Sequence, residues 1–217
     1  METLEVGRLQ FNTLLPDLLA VSEAFDRISH RNRIDKINWA GYPYKPDVSF
    51  LAGYTGKELL LKYYITENYF KAEMTETNQP VYEDSCVEFF VSPGNDGIYY
   101  NLEFNAIGTC LMGAGTGRND RKRITSDVIA RIRRNTSAGT APTGEKEGSF
   151  SWTITIAIPF GIFIHHAISD PEGMAFRANF YKCGDKLKVP HYLTWNHIKT
   201  EKPDFHRPEW FGMLKFV

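Results

Sequence analysis

The sequence predicts an all-β protein, an antiparallel β-sandwich or jelly roll with one N-terminal helix. Short runs of alternating apolar and polar residues recur along the chain, and segments rich in Gly, Pro, Asn and Asp separate them. Aromatic residues make up 14% of the chain, which suits strands because large rings pack well on a pleated surface. Only one segment has convincing helical spacing. Many short strands with few helices indicate a sandwich.

The predicted helix runs from Leu14 to Ile28. Apolar residues recur there at helical spacing as far as Phe25, Thr13 can cap the helix, and Pro16 lies in its first turn. We expect this helix to plug one end of the sandwich. It would belong to an N-terminal extension, residues 1–33, packed on a single domain that spans residues 1–217.

The predicted strands follow the helix and are bounded by turn signals such as Pro93–Gly97. Trp152 alternates in phase with Ile154 and Ile156, so it is predicted to be a core residue. One helical turn is expected at Phe160–His166. The strands are expected near Asp47–Tyr54, Glu58–Thr66, Tyr69–Glu76, Asp84–Ser92, Ile98–Ala106, Thr109–Gly113, Asp127–Arg134, Ser149–Ile158, Met174–Cys183 and Trp210–Val217.

Bulk composition excludes several classes of partner. The net charge is −1, with 25 basic and 26 acidic residues, so no overall field favours nucleic acid. No apolar run approaches the roughly 20 residues of a membrane helix, so no membrane partner is expected. The first residues lack the basic and apolar regions of a signal peptide, which indicates a cytoplasmic protein as written, or a secreted or periplasmic one if a leader was removed. The sequence does not fix the oligomeric state.

Cysteine and histidine spacing argues against a transition-metal centre. Cys86, Cys110 and Cys183 form no C-x-x-C pair, and each lies in a strand-like run, so we expect all three to be buried thiols. The six histidines show no metal-helix spacing such as H-E-x-x-H. Carboxylates could instead ligate calcium through oxygen.

Polar side chains fall on one face of three neighbouring strand-like runs. Side chains alternate along a strand, and in these runs the opposite face is apolar. Asparagine is disfavoured in strands, so a sheet face made of Asn, Glu and Arg indicates contact with a hydroxyl-rich ligand. The candidate ligand-binding residues on this face are Glu88, Asn101, Glu103, Asn105, Arg177 and Asn179.

Two aromatic residues are candidate platforms for a sugar ring. Trp195 lies in the polar run His191–His197, where it is either a core residue or an exposed ring that stacks on a sugar. Tyr82 precedes the acidic strand and is a candidate second platform. A sugar held between two rings would need both.

The acidic residues leave three functions open. Glu88 and Glu103 could be the acid and base of a glycoside hydrolase, could accept hydrogen bonds from sugar hydroxyls, or could be structural, with Arg177 as an ion-pair partner. A different alternative for the whole protein is a protein-interaction sandwich, which would expose a large apolar and aromatic patch in place of a narrow groove.

The order of these segments resembles carbohydrate-binding module family 9, including its stand-alone members. The resemblance covers the chain from about Trp39 to the C-terminus and leaves the helix outside. Its matching runs are Val81–Phe90, Tyr99–Gly108, Trp152–Pro159, Phe176–Tyr181, Leu193–Trp195 and Phe211–Gly212.

This resemblance implies an immunoglobulin- or jelly-roll-like sandwich that binds a mono- or oligosaccharide, or the end of a glycan, without cleaving it. Such a lectin-like protein would be at most accessory to glycoside hydrolysis, in support of polysaccharide catabolism. No cofactor is required, and bound calcium would be structural. Trp195 and Tyr82 would be the two platforms, with Tyr82 where the family has a Trp. Glu88 would meet sugar hydroxyls, joined by Arg177 and Asn179.

Overall fold

A computed structural model describes residues 1–217 and shows fourteen strands in one continuous, curled sheet. Two α-helices and three short 3-10 turns lie between them. The helices are α1 (Leu18–Asp26) and α2 (Ser126–Ile129), and the turns are Val81–Glu83, Phe160–Ile162 and Pro208–Trp210. The strands are β1 (Thr3–Arg8), β2 (Asn32–Arg33), β3 (Lys36–Ile37), β4 (Asp47–Tyr54), β5 (Glu58–Ala72), β6 (Cys86–Ser92), β7 (Tyr99–Asn105), β8 (Cys110–Gly115), β9 (Lys122–Arg123), β10 (Arg133–Thr136), β11 (Thr143–Pro159), β12 (Ala175–Cys183), β13 (Tyr192–Thr194) and β14 (Gly212–Phe216).

The sheet folds into two layers that meet along β1. The first layer has the order β14-β12-β6-β7-β8-β9, and β13 joins it at β12. The second has the order β10-β11-β5-β4. Residues 3–6 of β1 pair in parallel with β14, whereas residues 7–8 pair in parallel with β4. All other pairs are antiparallel, so the predicted all-β sandwich is confirmed, with β1 as its parallel exception.

Aromatic rings from both layers meet in the core. Phe180 of the first layer stacks on Phe50 of the second, with ring centroids 3.9 Å apart, and on Phe89 beside it at 5.0 Å. Trp152 is 2% exposed and lies in the same core, as predicted. Because apolar residues alternate along every central strand, one face of each layer supplies this core and the other is free for other contacts.

A buried ion pair also joins the layers. The ammonium group of Lys182 lies 2.8 Å from the Glu67 carboxylate, and both side chains are 0% exposed. The indole of Trp152 donates to Oε1 of Glu67 at 2.7 Å, and Nζ of Lys182 donates to Nε2 of His191 at 2.9 Å. Since Lys182 is on β12 and Glu67 on β5, removing either partner would leave the other charge buried between the layers.

The helix is shorter than predicted and packs elsewhere. It begins after Asp17, whose carboxylate accepts from the backbone N–H of Leu19 at 2.7 Å, because an aspartate caps a helix N-terminus well. Val21 and Phe25 pack on the outer face of the second layer, against Leu60 among others. The expectation that the helix plugs one end of the sandwich is therefore wrong.

The remaining differences from the sequence prediction are local. The expected strand Asp127–Arg134 begins with α2 instead, and the runs expected as Glu58–Thr66 and Tyr69–Glu76 form one long strand, β5. Residues 3–8, expected within an extension, form the strand that links the two layers. No helix is long and apolar enough to cross a membrane.

We expect Phe180→Ala to lower the free energy of unfolding by about 3–5 kcal/mol, because it leaves a cavity between Phe50 and Phe89. Denaturant titration followed by circular dichroism measures this loss. Leu19→Ala is the matched control, since Leu19 is 61% exposed and its loss should cost less than about 0.5 kcal/mol. Equal losses in the two variants would contradict the assignment of Phe180 to the central stack.

Candidate functional site

The outer face of the first layer carries a cavity of about 320 Å³. Strands β6 and β7 form its floor, and the segments around β9, β13 and residues 203–206 form its walls. Only three of its thirteen lining residues are hydrophobic. A small polar cavity with converging charged groups is the usual form of a small-ligand site.

Two buried glutamates form the floor. Glu88 on β6 lies directly opposite Glu103 on β7 in the antiparallel register. Oε1 of Glu88 accepts from the Cys183 thiol at 3.0 Å, and Oε1 of Glu103 accepts from the Asn101 amide at 2.8 Å. Burial, reinforced by Glu103, raises the pKa of Glu88 well above its usual range. Burial also raises the pKa of Glu103 to about 7, against the opposing effects of the Asn101 amide and Arg121.

Two acceptors at this floor have no hydrogen-bond partner. They are Oε2 of Glu103 and Oδ1 of Asn101, and both are buried. A buried acceptor without a donor costs about 1–3 kcal/mol, which a hydroxyl of a bound ligand would recover. Of the two residues, Glu103 lines the cavity, so its Oε2 can accept a hydrogen bond from a ligand.

One wall is a short arginine-rich segment that contains β9. Arg118, Arg121 and Arg123 line the cavity, and Nε of Arg121 donates to the backbone carbonyl of Arg118 at 3.3 Å. Arg121 reaches over β8 at Gly113, where an added Cβ would lie 2.9 Å from Oδ1 of Asn101 and 3.6 Å from the Arg121 guanidinium. A glycine at this position therefore leaves room for the Asn101 amide, and Arg121 lies next to it.

Aromatic rings form the other walls. Tyr82 comes from the 3-10 turn Val81–Glu83 and Tyr192 from β13, and both are half-buried. The hydroxyl of Tyr99 and Nδ1 of His206 are joined by a hydrogen bond of 3.0 Å. Burial, together with the nearby arginines, lowers the pKa of His206 to about 2, so its ring is neutral. The cavity thus offers flat apolar surfaces beside hydrogen-bonding groups.

Trp195 does not line this cavity. It is 5% exposed and packs edge-to-face against Phe50 and Phe180 in the core between the layers. Gly212 makes space for the ring, since an added Cβ would lie 2.6 Å from it. The expectation that Trp195 offers an open platform is wrong, because Trp195 shares the inward face with Leu193 by strand alternation.

Three other candidate residues are occupied by the fold itself. The Asn105 amide donates to Asp84 at 2.9 Å and to the carbonyl of Met74 at 2.8 Å, so it holds a loop. Asn179 is fully buried and bonds the backbone of Asn196, and the Arg177 guanidinium donates to backbone carbonyls near Trp210. None of the three lines the cavity, whereas Tyr82, Glu88 and Glu103 do, and Asn101 supports Glu103.

Sequence reasoning missed several lining residues. Tyr192 lies in the same polar run as Trp195 but has the opposite phase, and alternation about the apolar Leu193 could have identified it. The sequence shows a basic cluster of Arg118, Arg121 and Arg123, but such a cluster is typical of a solvated turn and does not by itself indicate a binding site. Asp185 and the segment 203–206 carried no signal, because only the folded chain brings them to the cavity.

The cysteines are all free and buried, as predicted. Cys86 and Cys183 face each other across β6 and β12, and with Glu88 they place ligand atoms within 4.8 Å of one another. Calcium prefers six to eight oxygen ligands, so two thiols and one carboxyl do not suit it. Structural calcium stays a prediction from the resemblance.

A larger, open groove of about 700 Å³ lies on the second layer beside Arg31 and Tyr64. The Tyr64 hydroxyl donates to Asp26 at 2.7 Å, and the hydroxyls of Thr66 and Ser151 bond each other. None of its lining residues carries a buried acceptor without a partner. The larger groove thus lacks the buried, unpartnered acceptors that mark the smaller cavity.

Comparison with known proteins gives a family match over nearly the whole chain. The family model described as carbohydrate-binding family 9 matches residues 18–216, which includes the helix that the resemblance had left outside. No curated protein matches the chain.

Solved structures give the same fold. A candidate carbohydrate-binding protein from Bacteroides uniformis is 38% identical, with a TM-score of 0.95 over 100% of this chain and 99% of its own. A family 9 carbohydrate-binding module from Caldicellulosiruptor kristjanssonii in complex with glucose is 10% identical, with a TM-score of 0.60 over 100% and 96% of the two chains. A family 9 module from the same organism in complex with cellotriose is 11% identical, with a TM-score of 0.59 over 99% and 93%.

We expect the raised pKa of Glu103 to make stability depend on pH. Between the ordinary value of 4.5 and the folded value of about 7, the folded protein keeps a proton that the unfolded chain has lost. Stability therefore falls as pH rises through this window. Glu103→Gln removes this effect, so the variant should lose about 1–2 kcal/mol less than the wild type between pH 5 and 7, at 1.36 kcal/mol per pKa unit.

Urea titrations at pH 5, 6 and 7 measure this difference. Glu201→Gln, a change at an exposed glutamate, is the control and should follow the wild type at every pH. If Glu103→Gln also ran parallel to the wild type, Glu103 would not be the buried carboxyl described here.

Proposed function

This chain belongs to carbohydrate-binding family 9, a family of non-catalytic modules, and from this we propose that its cavity on the first layer binds a sugar. The bound group would be a monosaccharide or the end of a glycan, held without cleavage in support of polysaccharide catabolism. The cavity closes over Glu88 and Glu103 on one side and is open to solvent on the other. It therefore suits one terminal ring better than the middle of a chain.

The unpartnered Oε2 of Glu103 is the observation that carries this proposal. Glu103 lines the cavity, so a ligand hydroxyl is a natural donor to this oxygen. Asp185 lines the cavity as well and adds a second acceptor. Because each such bond replaces a bond to water, affinity should be modest.

Tyr82 and Tyr192 would contact the ring faces of the sugar. Both lie at the walls of the cavity above the acidic floor. Tyr192 is held from behind by Tyr42, edge-to-face at 4.8 Å between ring centroids, so its orientation is fixed before a ligand arrives. Rigid aromatic walls lower the entropy that a weak ligand must overcome.

The geometry argues against hydrolysis by Glu88 and Glu103. The two carboxyls are cross-strand neighbours on one wall. A glycoside hydrolase needs its acid and its base or nucleophile on either side of the scissile bond. Here the two carboxyls rise side by side from the same floor, and one oxygen of each is already held by the fold, through the Cys183 thiol and the Asn101 amide, which favours a binding role and agrees with the non-catalytic family.

The alternative of a protein-interaction sandwich predicted an apolar patch on this face. The face instead holds a recess in which ten of thirteen lining residues are not hydrophobic. Such a recess favours a small polar ligand over a protein partner.

Isothermal titration calorimetry with glucose, xylose, cellobiose and cellotriose tests the proposal. We expect millimolar or tighter association with at least one of these sugars. Tyr82→Ala and Tyr192→Ala should each weaken it about ten-fold, which corresponds to about 1.4 kcal/mol, because each removes one contact surface.

Tyr64→Ala is the matched control, since Tyr64 is a half-buried tyrosine on the second layer. It should leave sugar binding unchanged. Binding by none of the sugars at tens of millimolar, or equal losses in all three tyrosine variants, would overturn the proposal.

A further inference from the structure

Three arginines face one cavity, and their positive charge is only partly balanced. Arg121 and Arg123 have the same phase on either side of Lys122, which does not line the cavity. Arg118 lies 3.5 Å from Asp204, but that carboxylate is also held by Arg207 at 2.8 Å. No carboxylate oxygen lies within 4.0 Å of a nitrogen of Arg121 or Arg123.

The carboxyl groups of the cavity do not neutralise the remaining positive charge of these arginines. Burial raises the pKa of Glu88 well above its usual range and that of Glu103 to about 7, so both hold protons for much of the time near neutrality. Burial raises the pKa of Asp185 to about 6, so it is mostly ionised near neutrality, but it forms no ion pair with Arg121 or Arg123 within 4.0 Å, and Asp204 is already shared between two arginines. His206 is neutral and contributes no charge. The unpaired guanidinium groups therefore face a floor of mostly uncharged acceptors and donors.

From this arrangement we propose that the preferred ligand is an acidic sugar, a uronate whose carboxylate is bound by Arg121 and Arg123. The inference rests on the proposed function, because it names the class of sugar for the same cavity. A guanidinium group matches a carboxylate through two parallel hydrogen bonds, and such charge-assisted bonds are stronger than bonds between neutral groups. The ring hydroxyls of the same sugar would meet Oε2 of Glu103, which lines the cavity and lacks a partner.

The partial burial of Arg121 favours its assignment as a partner of the sugar carboxylate. Its side chain is half-buried next to Asn101 and Gly113, and desolvation by burial lowers its pKa. A charge that is partly removed from water gains more from an anionic partner than an exposed one does. A neutral sugar would leave this charge without a counter-ion, whereas a uronate would supply one.

Calorimetry with matched sugar pairs tests the inference. D-glucuronate and D-galacturonate are compared with D-glucose and D-galactose, and sodium acetate serves as a bare carboxylate. We expect at least one uronate to bind at least ten-fold more tightly than its neutral partner, acetate to bind far more weakly, and the uronate preference to shrink as sodium chloride is raised.

The arginines are tested in the same assay by Arg121→Gln and Arg123→Gln. Each should reduce the uronate preference, the ratio of the affinity for a uronate to that for its neutral partner, about ten-fold. Lys122→Gln is the matched control, because it removes a neighbouring positive charge that does not line the cavity, and it should keep the preference. Thermal melts verify folding, and if Arg121→Gln fails to fold, the exposed Arg123 carries the test.

Each result separates the two proposals. Tight binding of neutral sugars with no gain for uronates overturns the inference and leaves the proposed function standing. Absence of binding by every sugar overturns both. A uronate preference that survives in both arginine variants, or is lost equally in Lys122→Gln, overturns the assignment of the carboxylate to Arg121 and Arg123.

Discussion

Strand alternation with both faces buried is the constraint on which this structure depends. In β6, β7 and β12 the inward residues enter a core of 39 buried residues, and the outward residues enter a second cluster of 11 that borders the cavity. A register slip of one residue would exchange the two faces and place Glu88 in the apolar core. The glutamate floor is therefore fixed by the same packing that holds the sandwich together, and its position needs no contribution from the loops.

The buried ion pair of Lys182 and Glu67 also helps to position the wall of the cavity. His191 accepts from Lys182, so its Nε2 carries no proton, and its Nδ1 contacts the carbonyl of Val189 at 3.3 Å. Tyr192 follows directly, at the start of β13. The buried ammonium group of Lys182 thus holds His191 in place, and His191 directly precedes Tyr192, which forms part of the cavity wall.

The sequence predicted the sandwich well because alternation is a local property, and β4 was placed at Asp47–Tyr54 as the structure has it. The floor was predicted for the same reason, since Glu88 and Glu103 lie on strands with clear patterns. The residues that form the walls of the cavity were harder to predict from the sequence. Arg121, Asp185 and Asp204 lie in connections where no periodicity applies, and their convergence depends on long-range folding. Trp195 was misassigned where a short strand left its phase ambiguous, and β1 was missed because its parallel partners lie far along the chain.

The position of β1 bears on the order in which the chain folds. Residues 3–6, four of the six residues of β1, pair with residues 213–216, so most of this N-terminal strand can pair only after the last strand, β14, has been made. Closing so long a loop is entropically costly, and topologies rich in such distant pairings fold in milliseconds to seconds. The hairpins within each layer can form early, whereas the pairing of β1 with β14, which joins the two layers, is completed at the end. Assembly of the sandwich should thus be limited by this last closure rather than by hairpin formation.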